Sequence, residues 1–405
     1  MARVIALMAT LDTKGREIAY MREIVERRGH KAVVIDTGLM GEPATPAEYS
    51  NSDVALAGGS SLSALRTRAD REESAPAMAA GATVIMKDLV QARRVQALVA
   101  LGGTQGTTLA TAVMRELPYG FPKIMVSTMA SGNVGPWVGV SDITMMFSVT
   151  DIMGLNPFMR RILANAAGAA CGMAEVEVDE HRSAPLVAIT TVGITTQGAM
   201  RAACVLEDAG YETIVFHAVG TGGQAMEAMM EQGLIKAVLD YSTIEVSNHM
   251  HHALLDGGPR RLTVAGRLGL PQVLCPGALE VLVFNEPETV PKRYEGRRLV
   301  RHSPKITDLR LNADEMRAVG EEVASRLKAG GGEAVFLIPT GGYDSYATAG
   351  EALCDTAADA AFVAALRENA PVGVKIVELP HDINDPTFAT EAAETLIGLI
   401  RAKAA

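Results

Sequence analysis

Short apolar runs that end at glycine, each followed by a segment with helical spacing, recur along most of this chain. The clearest is Leu98–Leu101, which stops at Gly102 and Gly103 and is followed by the helical pattern LATAVMREL. A run of this length bounded by glycines indicates a strand that is buried on both faces. The repeated alternation of strands and helices predicts the α/β class with a doubly wound parallel sheet.

The N-terminal part begins with a complete unit of strand, helix and strand. Arg3–Ala9 reads as a strand, the helix after it extends to about Arg28, and Lys31–Asp36 reads as the second strand. Such a unit requires parallel pairing and a right-handed crossover. The polar stretch over about 40–75 lacks a regular pattern and is long enough to be a functional loop. Another strand is predicted at Lys123–Ser127.

The pattern restarts after the charged stretch Glu175–Pro185, which we interpret as a domain boundary. Leu186–Thr191 resembles the first strand, and the helix after it again ends at a glycine, Gly210, which aligns with Gly29. In this alignment His217 falls on the last residue of the second strand. The internal similarity indicates two domains of the same kind.

We therefore predict two Rossmann-like open parallel-sheet subdomains with the ligand crevice between them. Residues 1–178 would form an N-terminal nucleotide-binding subdomain and residues 179–405 the C-terminal one. Further strands are predicted at Ala237–Leu239, Gln272–Cys275, Ala334–Ile338 and Lys375–Val377.

Composition narrows the class of protein. A length of 405 residues favours two domains, and 48% hydrophobic with only 4% aromatic residues favours helices packed closely on a sheet. The net charge of −10 argues against a nucleic-acid partner, and no apolar run is long enough to span a membrane. The four cysteines are far apart, which argues against disulfides and a structural zinc site. With no signal peptide before the first strand, we expect a cytoplasmic protein.

The turn GGTQGTT after the run at Leu98–Leu101 is the first candidate for a ligand site. Glycines allow a ligand to approach the backbone, and the N-terminus of the next helix suits a phosphate or carboxylate. The turn lacks the spacing of a Walker A loop. A tight turn without a ligand is the alternative.

The segment TLDTKG follows the first strand and so lies at the carboxyl end of the same sheet. Lys14 could neutralise a phosphate, and Asp12 could hold Mg²⁺ with help from neighbouring hydroxyls such as that of Thr13. The alternative is an ordinary helix start with Asp12 or Thr13 as its cap.

The segment HAVGTGGQAME matches the dinucleotide fingerprint. Gly220, Gly222 and Ala225 fit G-x-G-x-x-A, and Asp240 follows at the distance expected of a residue that binds a ribose hydroxyl. The fingerprint normally lies in the first strand–helix–strand unit of its domain, whereas here another unit precedes it. An NAD-dependent oxidoreductase is therefore the alternative function.

A polar cluster, HDIND, follows the strand that ends near Leu379. His381 could act as a general base or orient a phosphate, with Asp382 or Asp385 setting its charge. The alternative is a capped helix start at Asp385 and Pro386. The histidine-rich stretch NHMHH lacks the spacing of a metal site, and we read it as a solvated helix face.

Several of these segments together resemble one family. The segments are ATLDTKGRE, GGTQGT, PKIMVSTMASGNVGPWVGVSDITMM, VTDIMGLN, FHAVGTGGQAME, PQVLCPGALE and HDINDPTFA. They are similar to the N-terminal ATP-binding domain family of the tomato tobamovirus-resistance protein and its uncharacterised bacterial relatives. The resemblance covers nearly the whole chain and implies two Rossmann-like subdomains, ATP bound with Mg²⁺, and a homodimer.

With the resemblance, our leading hypothesis is a cytoplasmic Mg-ATP-binding protein that acts as an enzyme on an unknown small molecule. The expected cofactor-binding residues are Asp12, Thr13, Lys14, Asp36, Gly102, Gly103, Thr104, Gly106, Thr107, Ser131 and Gly132, with Asp12 also the expected metal ligand and Asp36 placed for a ribose. The catalytic candidates are His217, Glu245, Glu280, His381 and Asp385. A non-catalytic nucleotide-binding interaction module is a further alternative.

Overall fold

The computed structural model describes residues 2–67, 71–178 and 184–404. The chain divides into two compact units, Met1–Glu180 and His181–Ala405, which we call unit 1 and unit 2. The boundary predicted next to residue 178 adjoins residues 179–183, which lie outside the described ranges. Each unit holds a parallel sheet with helices packed against it, which confirms the predicted Rossmann-like α/β class.

Unit 1 is built from five described strands, all parallel. They are β1 (Val4–Ala9), β2 (Lys31–Asp36), β3 (Ala97–Gly102), β4 (Lys123–Ser127) and β5 (Thr144–Phe147). The helices are α1 (Leu11–Arg27), α2 (Asn51–Ala57), α3 (Leu62–Thr67), α4 (Arg71–Gln91), α5 (Thr104–Arg115), α6 (Gly135–Val138) and α7 (Pro157–Glu175). The described part of the stretch 40–75 contains α2, α3 and the start of α4, so it is not the irregular loop that its polarity predicts. The helix α2 is capped by Ser50, which exchanges hydrogen bonds with Asp53.

Both faces of the unit 1 sheet are covered, so its strands are apolar at nearly every position. On β1, Ile5 and Leu7 belong to the hydrophobic cluster shared with α1 and α7. Ala6 and Met8 point to the opposite face and belong to the cluster shared with α4 and α5. Successive side chains of β1 therefore pack into hydrophobic clusters on opposite faces of the sheet.

Unit 2 contains a larger parallel sheet and a small antiparallel one. The strands are β6 (Leu186–Thr191), β7 (Glu212–His217), β8 (Ala237–Ser242), β9 (Gln272–Gly277), β10 (Val281–Phe284), β11 (Leu299–Ser303), β12 (Ile306–Arg310), β13 (Ala334–Pro339) and β14 (Val374–Leu379). The helices are α8 (Thr196–Asp208), α9 (Thr221–Glu231), α10 (Ile244–His251), α11 (Val264–Arg267), α12 (Ala313–Gly330), α13 (Thr356–Asn369) and α14 (Pro386–Ala404). Strands β10, β12 and β11 form the antiparallel sheet, which the sequence pattern does not predict.

The strand orders place a topological switch point in each unit. In unit 1 the order is β2-β1-β3-β4-β5, so the chain leaves β1 toward one side of the sheet and returns at β3 on the other. In unit 2 the order β14-β13-β9-β8-β6-β7 puts the same reversal between β6 and β8. Open α/β sheets bind ligands outside the carboxyl ends of the strands at such points. In the described ranges no helix combines the length and apolarity needed to cross a membrane.

Candidate functional site

The glycine turn after β3 lies at the switch point of unit 1 and begins α5. A Cβ on Gly102 would come within 2.8 Å of the Cα of Gly106, so the compact turn requires glycine there. Among the described residues, no side chain caps α5 at Gly103, and the N–H groups of Thr104, Gln105 and Gly106 have no hydrogen-bond partner. The turn thus presents three free donors at the positive end of a helix dipole.

The turn has open space beside Gly103 and Gly106, where a ligand could approach the backbone. A Cβ on Gly103 would meet only the Thr128 hydroxyl, at 3.9 Å, and one on Gly106 only the Leu101 carbonyl, at 3.6 Å. Thr104 is exposed, as its position at the helix start predicts.

The loop after the neighbouring strand β4 is tied to the same turn. The hydroxyls of Thr107 and Ser127 lie 2.7 Å apart and are fully buried, and Ser127 also accepts the N–H of Met129. Thr107 therefore positions the turn, since its hydroxyl is not accessible to a ligand. Ser131 and Gly132 lie exposed on the β4 loop.

The start of α1, at the carboxyl end of β1, is occupied mainly by internal contacts. Lys14 donates from Nζ to the Ile152 carbonyl. Asp12 accepts the N–H groups of Gly41 and Met40 at 3.0 and 3.3 Å through Oδ2. Its Oδ1 is buried and has no hydrogen-bond partner in the part of the chain that the structure describes. The carboxylate therefore anchors the loop after β2.

The arrangement does not suit direct coordination of Mg²⁺ by Asp12, because one oxygen is occupied and the other is enclosed. Within the described ranges, no group of three or more His, Cys, Asp or Glu side chains is arranged to hold a metal ion. Thr13, next to it, is exposed, and its hydroxyl lies 2.8 Å from that of Thr10. Of the α1 candidates, Thr13 is exposed, whereas Lys14 is partly buried and would have to release the Ile152 carbonyl to meet a ligand.

Asp36 does not have the accessibility that a ribose-binding residue needs. Only 1% of it is exposed, and its Oδ1 accepts the N–H groups of Leu11, at 3.0 Å, and Gly38, at 2.8 Å. Burial raises the pKa of this carboxyl, and the two backbone donors oppose the rise. We therefore correct its expected role: Asp36 supplies the first turn of α1 with an acceptor.

In unit 2, the glycine turn before α9 holds a carboxylate of its own chain. The N–H groups of Gly220 and Gly223 donate to Oε1 of Glu245 at 2.6 and 3.0 Å. The second oxygen of Glu245 accepts Nε of Arg261 at 2.6 Å. Arg261 in turn makes two 2.6 Å bonds to Asp240. This buried network occupies the position where a dinucleotide would place its pyrophosphate.

The structure thus accounts for the fingerprint of unit 2 without NAD. Asp240 is 3% exposed, and both of its oxygens are bonded to Arg261, so neither is available to a ribose. A Cβ on Gly222 would lie 1.8 Å from the carbonyl oxygen of His217, which explains that glycine by packing alone. Glu245 is fully buried, and we correct its expected catalytic role to a structural one.

Glu280 is likewise enclosed. It is fully buried beside Asp344, which is also fully buried. Burial raises the pKa of Glu280, and the neighbouring Asp344 carboxylate raises it further. Burial also raises the pKa of Asp344, to about 6. Because Glu280 reaches no surface of unit 2, it is a poor candidate for direct contact with a substrate.

His381 and Asp385 lie together at the start of α14. The ring Nδ1 of His381 is 3.2 Å from Oδ2 of Asp385, and both side chains are about one-third exposed. Oδ1 of Asp385 accepts the N–H of Thr387 at 2.7 Å, and this bond lowers the pKa of the carboxyl. Asp385 is thus a helix cap, and His381 is accessible beside it.

His217 ends β7 and is exposed. Its Nδ1 lies 3.2 Å from the carbonyl oxygen of Thr191, which can only accept, so Nδ1 carries the proton. The other ring nitrogen, Nε2, is then free to accept a proton. Among the catalytic candidates of unit 2, His217 has the clearest geometry of a general base.

Three residues that matter in unit 2 carry no signal in the sequence. Arg261 stands in an ordinary polar segment, GGPRRL, although it is fully buried. His302 and Asp308 lie on strands that the pattern does not predict, and they meet at 3.6 Å across the antiparallel pair. A spacing rule could not find them, since strand pairing brings them together.

Comparison with known proteins identifies the family. Residues 3–179 match the N-terminal domain, and residues 184–400 the C-terminal domain, of the uncharacterised protein family UPF0261. A UPF0261 protein of Clostridium tetani is 38% identical over 402 residues, covering 99% of this chain and all of that one. One of Rhizobium meliloti is 40% identical over 390 residues, covering 96% and 97% of the two chains.

The match extends to a plant protein. The ToMV resistance protein Tm-1 of tomato, Solanum lycopersicum, is 30% identical over 312 residues, which are 74% of this chain and 41% of that protein. The family resemblance predicted from the sequence motifs is thereby confirmed. The chain belongs to the UPF0261 family.

Proposed function

We propose that this protein binds ATP with Mg²⁺ through unit 1, with the phosphates at the glycine turn that begins α5. The observation that supports the proposal is the set of free N–H groups on Thr104, Gln105 and Gly106, next to the switch point between β1 and β3. Backbone donors at the start of a 12-residue helix are suited to a phosphate, because the helix dipole adds a partial positive charge.

The contrast with unit 2 supports this choice. There the turn before α9 is neutralised by the internal carboxylate of Glu245, which accepts two backbone N–H groups. Among the described residues, no carboxylate accepts a hydrogen bond from the turn before α5. An anion from solution is therefore the natural partner of the unit 1 turn. Lys14 adds a positive charge at the end of the adjacent strand β1.

Mg²⁺ would neutralise part of the phosphate charge when it is bound with the nucleotide. Since Asp12 is engaged by Gly41 and Met40, we assign no protein ligand to the ion. Magnesium commonly keeps several water ligands in nucleotide sites, which agrees with this assignment. The expected phosphate contacts are the backbone of the turn, Thr13 and Lys14.

Calorimetric titration with ATP, with and without Mg²⁺, tests the proposal, and NAD serves as the comparison ligand. Gln105→Glu is the informative variant, because Gln105 is exposed and an acidic residue in the first turn favours the helix while repelling a phosphate. We expect it to weaken ATP binding at least about ten-fold, or about 1.4 kcal/mol. Gly103→Val, which covers the turn, should abolish binding.

The matched control is Gly168→Ala in α7, whose added Cβ would meet no heavy atom within 4 Å. It should bind ATP as the natural protein does. ATP binding that is unaffected by Gln105→Glu and Gly103→Val would overturn the assignment, as would the absence of ATP binding. Turnover of bound ATP that depends on an added small molecule would favour an enzyme over an interaction module.

A further inference from the structure

A cavity of about 170 Å³ lies in unit 2 at its own switch point. The segments after β6, β7 and β8 form one side, and the antiparallel strands β10 and β12 form the other. Most of the wall is apolar, with Val192, Ile194, Val281 and Val283 among the lining residues. A cavity of about 150 Å³ with similar walls can hold a benzene molecule. The space thus suits a compact molecule of about that size.

Three polar side chains face this apolar space: His217, His302 and Asp308. His217 directs Nδ1 to the Thr191 carbonyl and keeps Nε2 for a ligand. The wall therefore carries a proton acceptor whose tautomer is set by the backbone.

The second histidine is held by two partners. Nδ1 of His302 lies 3.1 Å from the Tyr346 hydroxyl and 3.6 Å from Oδ2 of Asp308. With Nδ1 engaged, Nε2 is the nitrogen left to meet a ligand. Gly193 leaves space beside this ring, since a Cβ there would lie 4.0 Å from Cε1 of His302.

Asp308 makes the cavity unfavourable for anions. Its side chain is only 5% exposed. Burial raises its pKa to about 6, and His302 opposes the rise, so the carboxyl is ionised above neutral pH. A ligand anion would then be desolvated close to a buried negative charge. A hydroxyl group, in contrast, is uncharged and can donate a hydrogen bond to Nε2 of His217.

We propose that this cavity of unit 2 binds a small uncharged molecule with an apolar body and one hydroxyl group, which donates a hydrogen bond to His217 in the wall that His217 and His302 share. The site lies wholly within unit 2 and is independent of the nucleotide proposed for unit 1. Loss of ATP binding would leave it intact, and failure of this site would leave the nucleotide proposal intact.

Three probes with the same ring distinguish the ligand classes: cyclohexanol, cyclohexanecarboxylate and cyclohexylamine. Their affinities for the full chain can be measured at pH 7.5 by ligand-observed NMR titration. We expect cyclohexanol to bind at least about five times more tightly than cyclohexanecarboxylate, whose charge Asp308 would repel. Tighter binding of the carboxylate or the amine would overturn the assigned ligand class, and no binding of any probe would overturn the site.

Two substitutions locate the binding. Leu255 lines the cavity and is partly exposed, so Leu255→Trp should fill the space and lower cyclohexanol affinity at least about ten-fold. Its neighbour Leu254 is 45% exposed and does not line the cavity, which makes Leu254→Trp the matched control. Equal affinity in the two variants would show that cyclohexanol binds elsewhere.

A third substitution tests the hydrogen bond between the ligand and His217. His217→Phe keeps an aromatic ring but removes the nitrogen acceptor, so it should weaken cyclohexanol about five-fold, the usual value of one hydrogen bond. Cyclohexane, which lacks the oxygen, should bind the variant and the natural protein alike. An equal loss for both probes would assign His217 to packing and refute its role as the hydrogen-bonding group.

Discussion

Glu227 should make unit 2 less stable as the pH rises through neutrality. Three buried carboxyl groups surround the single guanidinium of Arg261, and Glu227 is the most distant, at 3.9 Å compared with 2.6 Å for Asp240 and Glu245. Burial raises the pKa of Glu227 from 4.5 to about 7, and the charge of Arg261 opposes the rise without cancelling it. The folded protein therefore keeps a proton there that the unfolded chain has already lost.

The sign and size follow from proton linkage. Because the folded pKa is the higher one, the stability due to this proton is complete below pH 4.5 and is lost as the pH approaches 7. Each unit of difference between the folded and unfolded pKa is worth about 1.4 kcal/mol. The rise from 4.5 to about 7 therefore corresponds to about 3 kcal/mol of unfolding free energy. Glu227→Gln abolishes the titration and keeps an acceptor for the N–H of Leu262, which bonds Glu227 at 2.8 Å.

Hydrogen exchange of the β8 amides, measured between pH 5 and pH 8, reports the opening free energy of unit 2 by itself. As the pH rises from 5 to 8, the opening free energy of Glu227→Gln should increase by about 2 to 3 kcal/mol relative to that of the natural protein. Glu231→Gln is the control, because Glu231 lies on the same helix but pairs at the surface with Arg260 and Arg267. A difference between Glu227→Gln and the natural protein that stays constant from pH 5 to 8 would refute the reasoning.

Two further predictions concern packing and an ion pair in which only the ammonium is buried, and thermal unfolding checks both. Gly222→Ala should destabilise unit 2 by about 3 kcal/mol or more, because the added Cβ would overlap the His217 carbonyl. Gly168→Ala meets no neighbouring atom, and it should stabilise α7 by up to about 1 kcal/mol because alanine favours the helix. Asp142→Asn should cost unit 1 about 2 to 3 kcal/mol, because it leaves the fully buried ammonium of Lys123 without the carboxylate at 2.6 Å. Equal melting temperatures for the two glycine variants, or an unchanged one for Asp142→Asn, would contradict these expectations.

The parallel sheets could be predicted because helices cover both of their faces. Burial on two sides makes a strand such as Val4–Ala9 or Leu186–Thr191 apolar almost throughout, and that pattern is visible without a structure. The antiparallel sheet gives no such signal. Of its strands, β11 is largely exposed and reads LVRHS, which has no regular alternation.

Candidate sites are harder to predict from the sequence than the sheets, because residue type does not reveal burial or partners. The sequence draws attention to the turns after β3 and before α9, but only the structure shows that one is open and that the other is bonded to Glu245. Asp36 ends β2 and Asp240 lies near the end of β8, where ligand-binding acids are common, yet both are buried and bonded within the chain. Such pairings depend on contacts between segments that are distant in sequence.

The internal carboxylate of unit 2 has an evolutionary consequence. Gly222 and Gly223 lie too close to the His217 carbonyl and to Glu245 to carry a side chain, so any larger residue would disrupt the fold. Selection for folding alone would therefore preserve this glycine pattern in descendants that never bind a nucleotide. In this lineage, the informative position for gain or loss of an anion ligand is Glu245, since a change there would free two backbone N–H groups.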